Sequence, residues 1–283
     1  MRCIPVTTTL PRIGHVTILE ATADAQEALV NAALEEEEDD GMATATTTLA
    51  HADPYGAVLW PAATAVARHM LQAPETWLVN QSVLELGTGT GLVSLAAAAG
   101  GAAAVTATDW ERLPLLLLEY AHAHLNPAAR RIPIQTRVVN VHDFLCHSNN
   151  SNNSTSSARL PPATVVVAAD LLYEPVTGRA LAHVVVQALA QGARVLIGDS
   201  PGRAGRPAFV QELQRLGVTA VFRDTAGSTV TGERHALICG PGSTSVSPTP
   251  RPLRVALLEL DPMRHAPKAV PGENLPPFYK SAS

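Results

Sequence analysis

The chain is predicted to fold as an α/β protein, with a mostly parallel seven-stranded sheet carrying helices on both faces. Three observations lead there. From Tyr55 onward short apolar strands alternate with longer helical segments; one strand turns into a helix through glycines at Gly87, Gly89 and Gly91; and acidic residues recur just beyond successive strands. With 283 residues, 46% of them hydrophobic, the chain is long enough to bury a full core in one catalytic domain, spanning about 55–262.

The elements follow in order. Ahead of the domain, residues 1–54 read as an N-terminal extension: His15 to Glu20 alternates like a short strand, Asp24 to Leu34 has helical periodicity, and Glu35 to Asp40 is an unbroken acidic run expected to be solvated. Five buried strands are predicted at Ser82 to Leu86, Ala103 to Thr108, Ile134 to Val141, Thr164 to Ala169 and Arg194 to Gly198, each rich in aliphatic or β-branched residues. Helices are expected at Pro61 to Gln72, Leu92 to Ala99, Arg112 to His124, Gly178 to Gln191 and Arg206 to Leu216. Val218 to Phe222 reads as a sixth strand and Val255 to Leu260 as a seventh, with His235 to Cys239 competing for that last place. Ser148 to Ser157 is nearly pure Ser, Asn and Thr, so it reads as a disordered insertion; residues 240–252 form a Gly/Ser/Pro loop and 263–283 a Pro-rich tail.

Composition excludes several classes of function. The net charge of −5 with scattered Lys and Arg offers a nucleic-acid backbone no basic stripe, so no nucleic-acid partner is expected. The three cysteines, Cys3, Cys146 and Cys239, show neither disulfide nor metal spacing, which points to a reducing compartment and no metal site. No apolar run approaches the roughly 20 residues that cross a bilayer, and the first 19 residues lack the apolar stretch of a secretory signal. A cytoplasmic monomer without membrane attachment is expected, with a mitochondrion or plastid as other compartments.

The most informative stretch is Val83-Leu84-Glu85-Leu86-Gly87-Thr88-Gly89-Thr90-Gly91-Leu92. Alternating glycines let backbone pass close to a ligand, because no Cβ intervenes. A dinucleotide fingerprint would need glycine where Leu92 stands. Asp109 ends the second strand 18 residues beyond Gly91, followed by Trp110, and a carboxylate there suits ribose hydroxyls as well as it suits a helix cap. Beyond the third strand, Asp143 and Phe144 are candidates for an adenine contact or for ordinary loop positions. Beyond the fourth, Ala169-Asp170-Leu171-Leu172-Tyr173 opens at the same sheet edge, and Asp199 follows the fifth, as a substrate contact or as a cap.

Glu85 to Gly91, Asp109 and Asp170-Leu171-Leu172-Tyr173 together resemble the seven-β-strand protein-lysine methyltransferases grouped as methyltransferase family 16. The resemblance covers about Tyr55 to Phe222 and implies a class I methyltransferase Rossmann-like fold. It also implies S-adenosyl-L-methionine as cofactor and a protein carrying the acceptor lysine as partner. On that resemblance Trp60, Glu85, Gly87, Thr88, Gly89, Gly91, Asp109, Trp110, Asp143, Phe144 and Ala169 would hold the cofactor, Asp170 and Tyr173 would serve catalysis, and Asp199 would contact substrate. Trp60-Pro61 and Gly198-Asp199-Ser200-Pro201-Gly202-Arg203 are most similar to the branch acting on the electron-transfer flavoprotein β-subunit, from which the serine at 200 departs. A small-molecule N- or O-methyltransferase, or a catalytically silent cofactor-binding scaffold, would carry the same cofactor motifs.

Overall fold

The computed structural model describes residues 2–28, 31, 55–145, 159–225, 229–230, 251–252 and 254–265. It opens with a hairpin of β1 (Cys3–Leu10) and β2 (Gly14–Ala21), paired in antiparallel register from Cys3↔Ala21 to Leu10↔Gly14. Only the second strand was predicted. The run Val6-Thr7-Thr8-Thr9 carries β propensity but little hydrophobic alternation, because Thr7 and Thr9 face solvent and only Leu10 is fully buried. Leu10, Val16 and Ile18 sink the inner face into the core. Asn126 fastens the hairpin further: its amide accepts from the Thr17 N–H at 2.9 Å and donates to the Thr17 carbonyl at 2.7 Å. Residues 23–28 begin the expected N-terminal helix; the acidic run after it lies outside the described residues.

The main sheet contains β3 (Ser82–Leu86), β4 (Ala104–Asp109), β5 (Ile134–Val138), β6 (Val165–Ala169), β7 (Arg194–Asp199), β8 (Arg223–Thr225) and β9 (Val255–Leu260). Their order is β5-β4-β3-β6-β7-β9-β8. The first five run parallel, and β9 is antiparallel to both β7 and β8. Strand alternation divides the buried residues between two cores. Val83, Val105, Val165, Val167 and Leu196 face one, whereas Leu84, Leu86, Val166, Val195 and Ile197 face the other.

Helices cover both faces. The first core takes α1 (Pro61–Gln72), α2 (Leu92–Ala99) and Leu118 of α3 (Arg112–Tyr120); the second takes α4 (Pro175–Ala190) and α5 (Gly205–Arg215). Pro61 and Pro175 occupy first helical turns, where a missing N–H loses no intrahelical bond. Two approaches are close enough to require glycine. A Cβ on Gly198 would stand 2.5 Å from Val66 Cγ2 of α1, and one on Gly178 would strike the Gly205 carbonyl.

The predicted sixth strand is corrected. Val218 to Phe222 is not a strand; pairing begins at Arg223, opposite Leu257. The apolar residues of that segment serve packing instead of a ladder, with Val218 buried in the second core and the Phe222 ring 6.1 Å from that of Phe209. Val255–Leu260 is the seventh strand, as expected. The Ser/Asn insertion, the competing segment His235 to Cys239, nearly all of the 240–252 loop and the tail beyond residue 265 lie outside the described residues. Among the described residues no helix is long and apolar enough to cross a membrane.

Candidate active site

All five parallel strands deliver their last residues to one edge of the sheet. The chain moves from β3 outward through β4 to β5, then returns to the other side of β3 for β6, so connections leave β3 and β6 toward opposite faces. A crevice opens at such a reversal.

The glycine turn lies on one side of it. Gly87, Gly89 and Gly91 have φ of +62°, +50° and +82°, a region that disfavours any residue with a Cβ. Space forbids a side chain as well: at Gly91 a Cβ would lie 2.5 Å from Leu118 Cδ1, and at Gly87 it would collide with Leu171. The Gly56 carbonyl would stand 3.4 Å from a Cβ on Gly89, so the segment before α1 lies against this turn. This strand-to-helix turn of bare backbone at the reversal point can admit a nucleoside-linked ligand closely.

Two carboxylates shape the turn. Glu85 is buried and accepts from Thr88 Oγ1 at 2.8 Å, from the Ser94 N–H at 2.9 Å and from the Ser94 hydroxyl, which ties the strand to the first turn of α2. Burial pushes its pKa up to about 7 against the pull of these hydrogen bonds, with Asp109 adding to the rise. Asp109 accepts from the Gly89 N–H at 3.0 Å and from the Glu111 N–H at 3.3 Å. Trp110, next to it, is half exposed.

Beyond β5, Asn140 accepts from the His142 N–H at 2.9 Å and opens a 3-10 turn over Val141–Phe144. This turn holds the two candidate adenine contacts differently. Asp143 is exposed, whereas Phe144 is buried among the residues of the second core. His142 fastens the turn to α4 through Thr177 Oγ1 at 2.9 Å.

On the other side of the crevice, Asp170 follows Ala169 at the end of β6 with φ +57°, a left-handed conformation that Asp tolerates better than most residues. Its side chain is 1% exposed, and both oxygens are engaged. Oδ2 accepts from the Ala62 N–H of α1 at 2.9 Å; Oδ1 accepts from the Ser200 N–H at 2.8 Å and lies 3.5 Å from Arg203 Nη2. Tyr173, three residues on, is 41% exposed. Leu172 between them accepts from the Gly205 N–H at 3.0 Å, so the start of α5 is pinned to this loop.

Asp199 is wholly enclosed. Its Oδ2 receives Arg206 Nε at 2.6 Å, and Arg206 also donates to the Asp199 and Ser200 carbonyls. Burial still outweighs the guanidinium and lifts the Asp199 pKa to about 7. Arg203 lies over the Trp60 ring, 4.7 Å from its centroid, while Trp60 Nε1 donates to the Tyr55 carbonyl at 2.9 Å.

Four structurally decisive residues were not singled out from the sequence: Glu20, Ser94, Arg203 and Arg206. Arg206 follows Asp199 closely, a proximity that hints at their pairing, whereas Arg203 meets Asp170 from 33 residues away. Ser94 and Glu20 meet their partners 9 and 39 residues away, at separations no local period reveals. Among the described residues no group of three or more His, Cys, Asp or Glu could hold a metal ion.

The family model described as lysine methyltransferase matches residues 46–216. The electron transfer flavoprotein beta subunit lysine methyltransferase of Rattus norvegicus is 29% identical over 161 residues, covering 56% of this chain and 54% of that protein. The Danio rerio protein of the same description is 30% identical over 154 residues, 54% of this chain and 52% of the relative. The chain thus spans about half the length of these curated relatives. Among solved structures, a Thermoplasma acidophilum protein superposes with a TM-score of 0.46 at 13% identity, over 70% of this chain and 87% of its own. A Pyrococcus horikoshii protein described as a candidate RNA methyltransferase gives 0.45 at 12% identity, over 83% and 96%. With its class I Rossmann-like sheet, its glycine turn and a family match over more than half its length, the chain belongs to the lysine methyltransferase family, whose methyl donor is S-adenosylmethionine.

Proposed function

We propose that the protein transfers a methyl group from S-adenosylmethionine to the ε-amine of a lysine in a protein substrate. The observation that carries this reading is the Asp170-to-Tyr173 loop, whose Leu171 packs against Gly87 while Tyr173 remains exposed at the crevice edge. The relatives that methylate a flavoprotein subunit support a protein acceptor. Gly87, Thr88, Gly89, Gly91 and Asp109 would hold the cofactor, with Glu85 setting the shape of the turn and Trp60, Trp110, Asp143 and Ala169 bordering it. Phe144 would support that wall from the core.

When bound, the cofactor supplies a methyl carbon on a positively charged sulfur. The acceptor nitrogen must present a lone pair in line with the breaking carbon–sulfur bond, so the chain's own work is alignment and exclusion of water. At neutral pH only about one free lysine in 2,500 is uncharged, an opposing contribution of roughly 4.6 kcal/mol. The loss of that proton must be assisted before attack. A carboxylate facing the ammonium would hold the proton on, and Asp170 already has three protein partners. We therefore assign Asp170 as a positioning residue that joins α1, the Ser200 backbone and Arg203 around the loop bearing Tyr173. Tyr173 would orient the amine through its hydroxyl. Asp199, enclosed with Arg206, would hold the neighbouring loop and act on substrate only through it.

The test is to incubate the purified protein with methyl-labelled cofactor and a cell lysate, then map the label by mass spectrometry. Label on lysine side chains of protein is expected. Label confined to small molecules would overturn the reading.

A further inference from the structure

We propose that the N-terminal hairpin, which lies ahead of the region matched by the family model, is part of the cofactor site, with Glu20 as its positioning residue. The inference rests on the reading that the glycine turn and Trp60 hold the cofactor. Residues 55–60 lie across that turn, with the Gly56 carbonyl against Gly89, yet they form no helix or strand. Their buried backbone groups must therefore find partners elsewhere.

The hairpin supplies them. Glu20, at the end of β2 and 3% exposed, accepts from the Leu59 N–H at 2.7 Å, one residue before Trp60. The Ala21 N–H donates to the Ala57 carbonyl at 2.9 Å, on the side toward Gly56. A charge-assisted bond to a carboxylate is shorter and roughly twice as strong as one between neutral groups. From the far side Asp170 holds the Ala62 N–H, in the first turn of α1 two residues beyond Trp60. The stretch bearing Trp60 is thus gripped between two buried carboxylates, one on the hairpin and one on the sheet. At a separate attachment, Asn126 holds the hairpin through the main chain of Thr17, without bonding to residues 55–60.

Scaffold and positioning roles separate by experiment. Glu20→Ala should weaken S-adenosylmethionine binding, measured by calorimetry, by about tenfold, the smaller end of what losing a charged hydrogen bond costs. Glu20→Gln keeps an acceptor oxygen and should recover most of the affinity. Asn126→Ala, which loosens the hairpin at its other attachment, should lower Tm while leaving cofactor affinity within about twofold. Hydrogen exchange on the unaltered protein gives a measurement that needs no variant to fold: protection of the Leu59 amide should rise when cofactor binds. If Glu20→Ala lowers Tm yet keeps the unaltered affinity, or if Leu59 protection ignores the cofactor, the hairpin is scaffold only and the proposal fails. None of these readouts needs a methyl acceptor. An error about the substrate would leave them intact, whereas an unaltered protein that bound no cofactor would refute the site reading itself.

Discussion

The two sides of the crevice are held in different ways. On the side of β3 and β4, the donors to Glu85 and Asp109 named above are backbone amides and hydroxyls. On the side of β6 and β7, Asp170 and Asp199 face guanidinium groups as well, from Arg203 and Arg206. Neutral donors keep a loop in shape without adding charge, which would suit a wall that receives a cationic sulfonium. Ion pairs bind separate segments together, here the end of β6, the loop after β7 and the start of α5, which would suit a wall that holds an acceptor still. The difference suggests that damage to the first side would fall mainly on cofactor affinity, and damage to the second on folding and turnover together.

The largest expected effect is at Asp170. Replacing it with Ala leaves the Ala62 and Ser200 N–H groups and Arg203 without their acceptor, and breaking a buried charged pair costs about 3–5 kcal/mol. Denaturant titration should register a loss of that order, with methyl transfer falling in parallel; a folded variant of unaltered stability would remove the clamp from the account. Asp170→Asn is the sharper probe. Should it keep full turnover, the charge is irrelevant; if turnover falls only as far as cofactor affinity does, the residue belongs to the cofactor side.

Next comes Asp109→Ala, which should weaken cofactor binding by about 1.5–3 kcal/mol and lower Tm less than Asp170→Ala does, because the donors named above for it, the Gly89 and Glu111 N–H groups, are uncharged. Unchanged affinity in the folded variant would erase the distinction between the two sides.

A comparable change is expected in the pH response of Glu85→Gln. Because the folded pKa of Glu85 is raised, to about 7 from an ordinary 4.5, the native state holds a proton that the unfolded chain releases first. Its stabilising contribution is full below about pH 4.5 and is lost as pH rises toward 7, a change of order 3 kcal/mol. Unfolding measured across that window should fall more steeply for the natural protein than for the variant. Equal slopes would mean that Glu85 titrates normally. The smallest effect is expected from Tyr173→Phe, which removes one hydroxyl: a drop in turnover of at most about tenfold, with cofactor affinity unchanged. A loss of affinity there would move Tyr173 to the cofactor wall.

Much of this fold is legible in the residues because strands buried on both faces, whether parallel or not, are nearly continuous apolar runs, and Ser82–Leu86 and Val255–Leu260 match their predicted limits. The glycine turn is legible for a related reason, since positive φ and crowding leave few other residues possible at Gly87 and Gly91. What escapes is whatever depends on a distant partner. β1 is visible only once β2 and the core behind it are known, and Val218 to Phe222 looks like a strand because residues packed on a helix can be as apolar as residues in a ladder. The direction of a buried carboxylate is the same kind of problem. Nothing local to Asp170 says that its oxygens turn toward Ala62 and Ser200, and nothing near Glu20 points to Leu59.

The reversed strand β9 has a consequence for how such a protein could diversify. Because it runs against its neighbours, Val255 pairs with Thr225 and Ala256 with Asp199, so the end of β8 and the beginning of β9 both lie on the crevice side of the sheet. Any lengthening or shortening of the intervening chain is thereby anchored on the crevice side of the sheet, while the sheet and its two cores keep their register. Acceptor choice could in this way drift through insertions at one connection, as an interchangeable module, without any change in the machinery that holds the methyl donor.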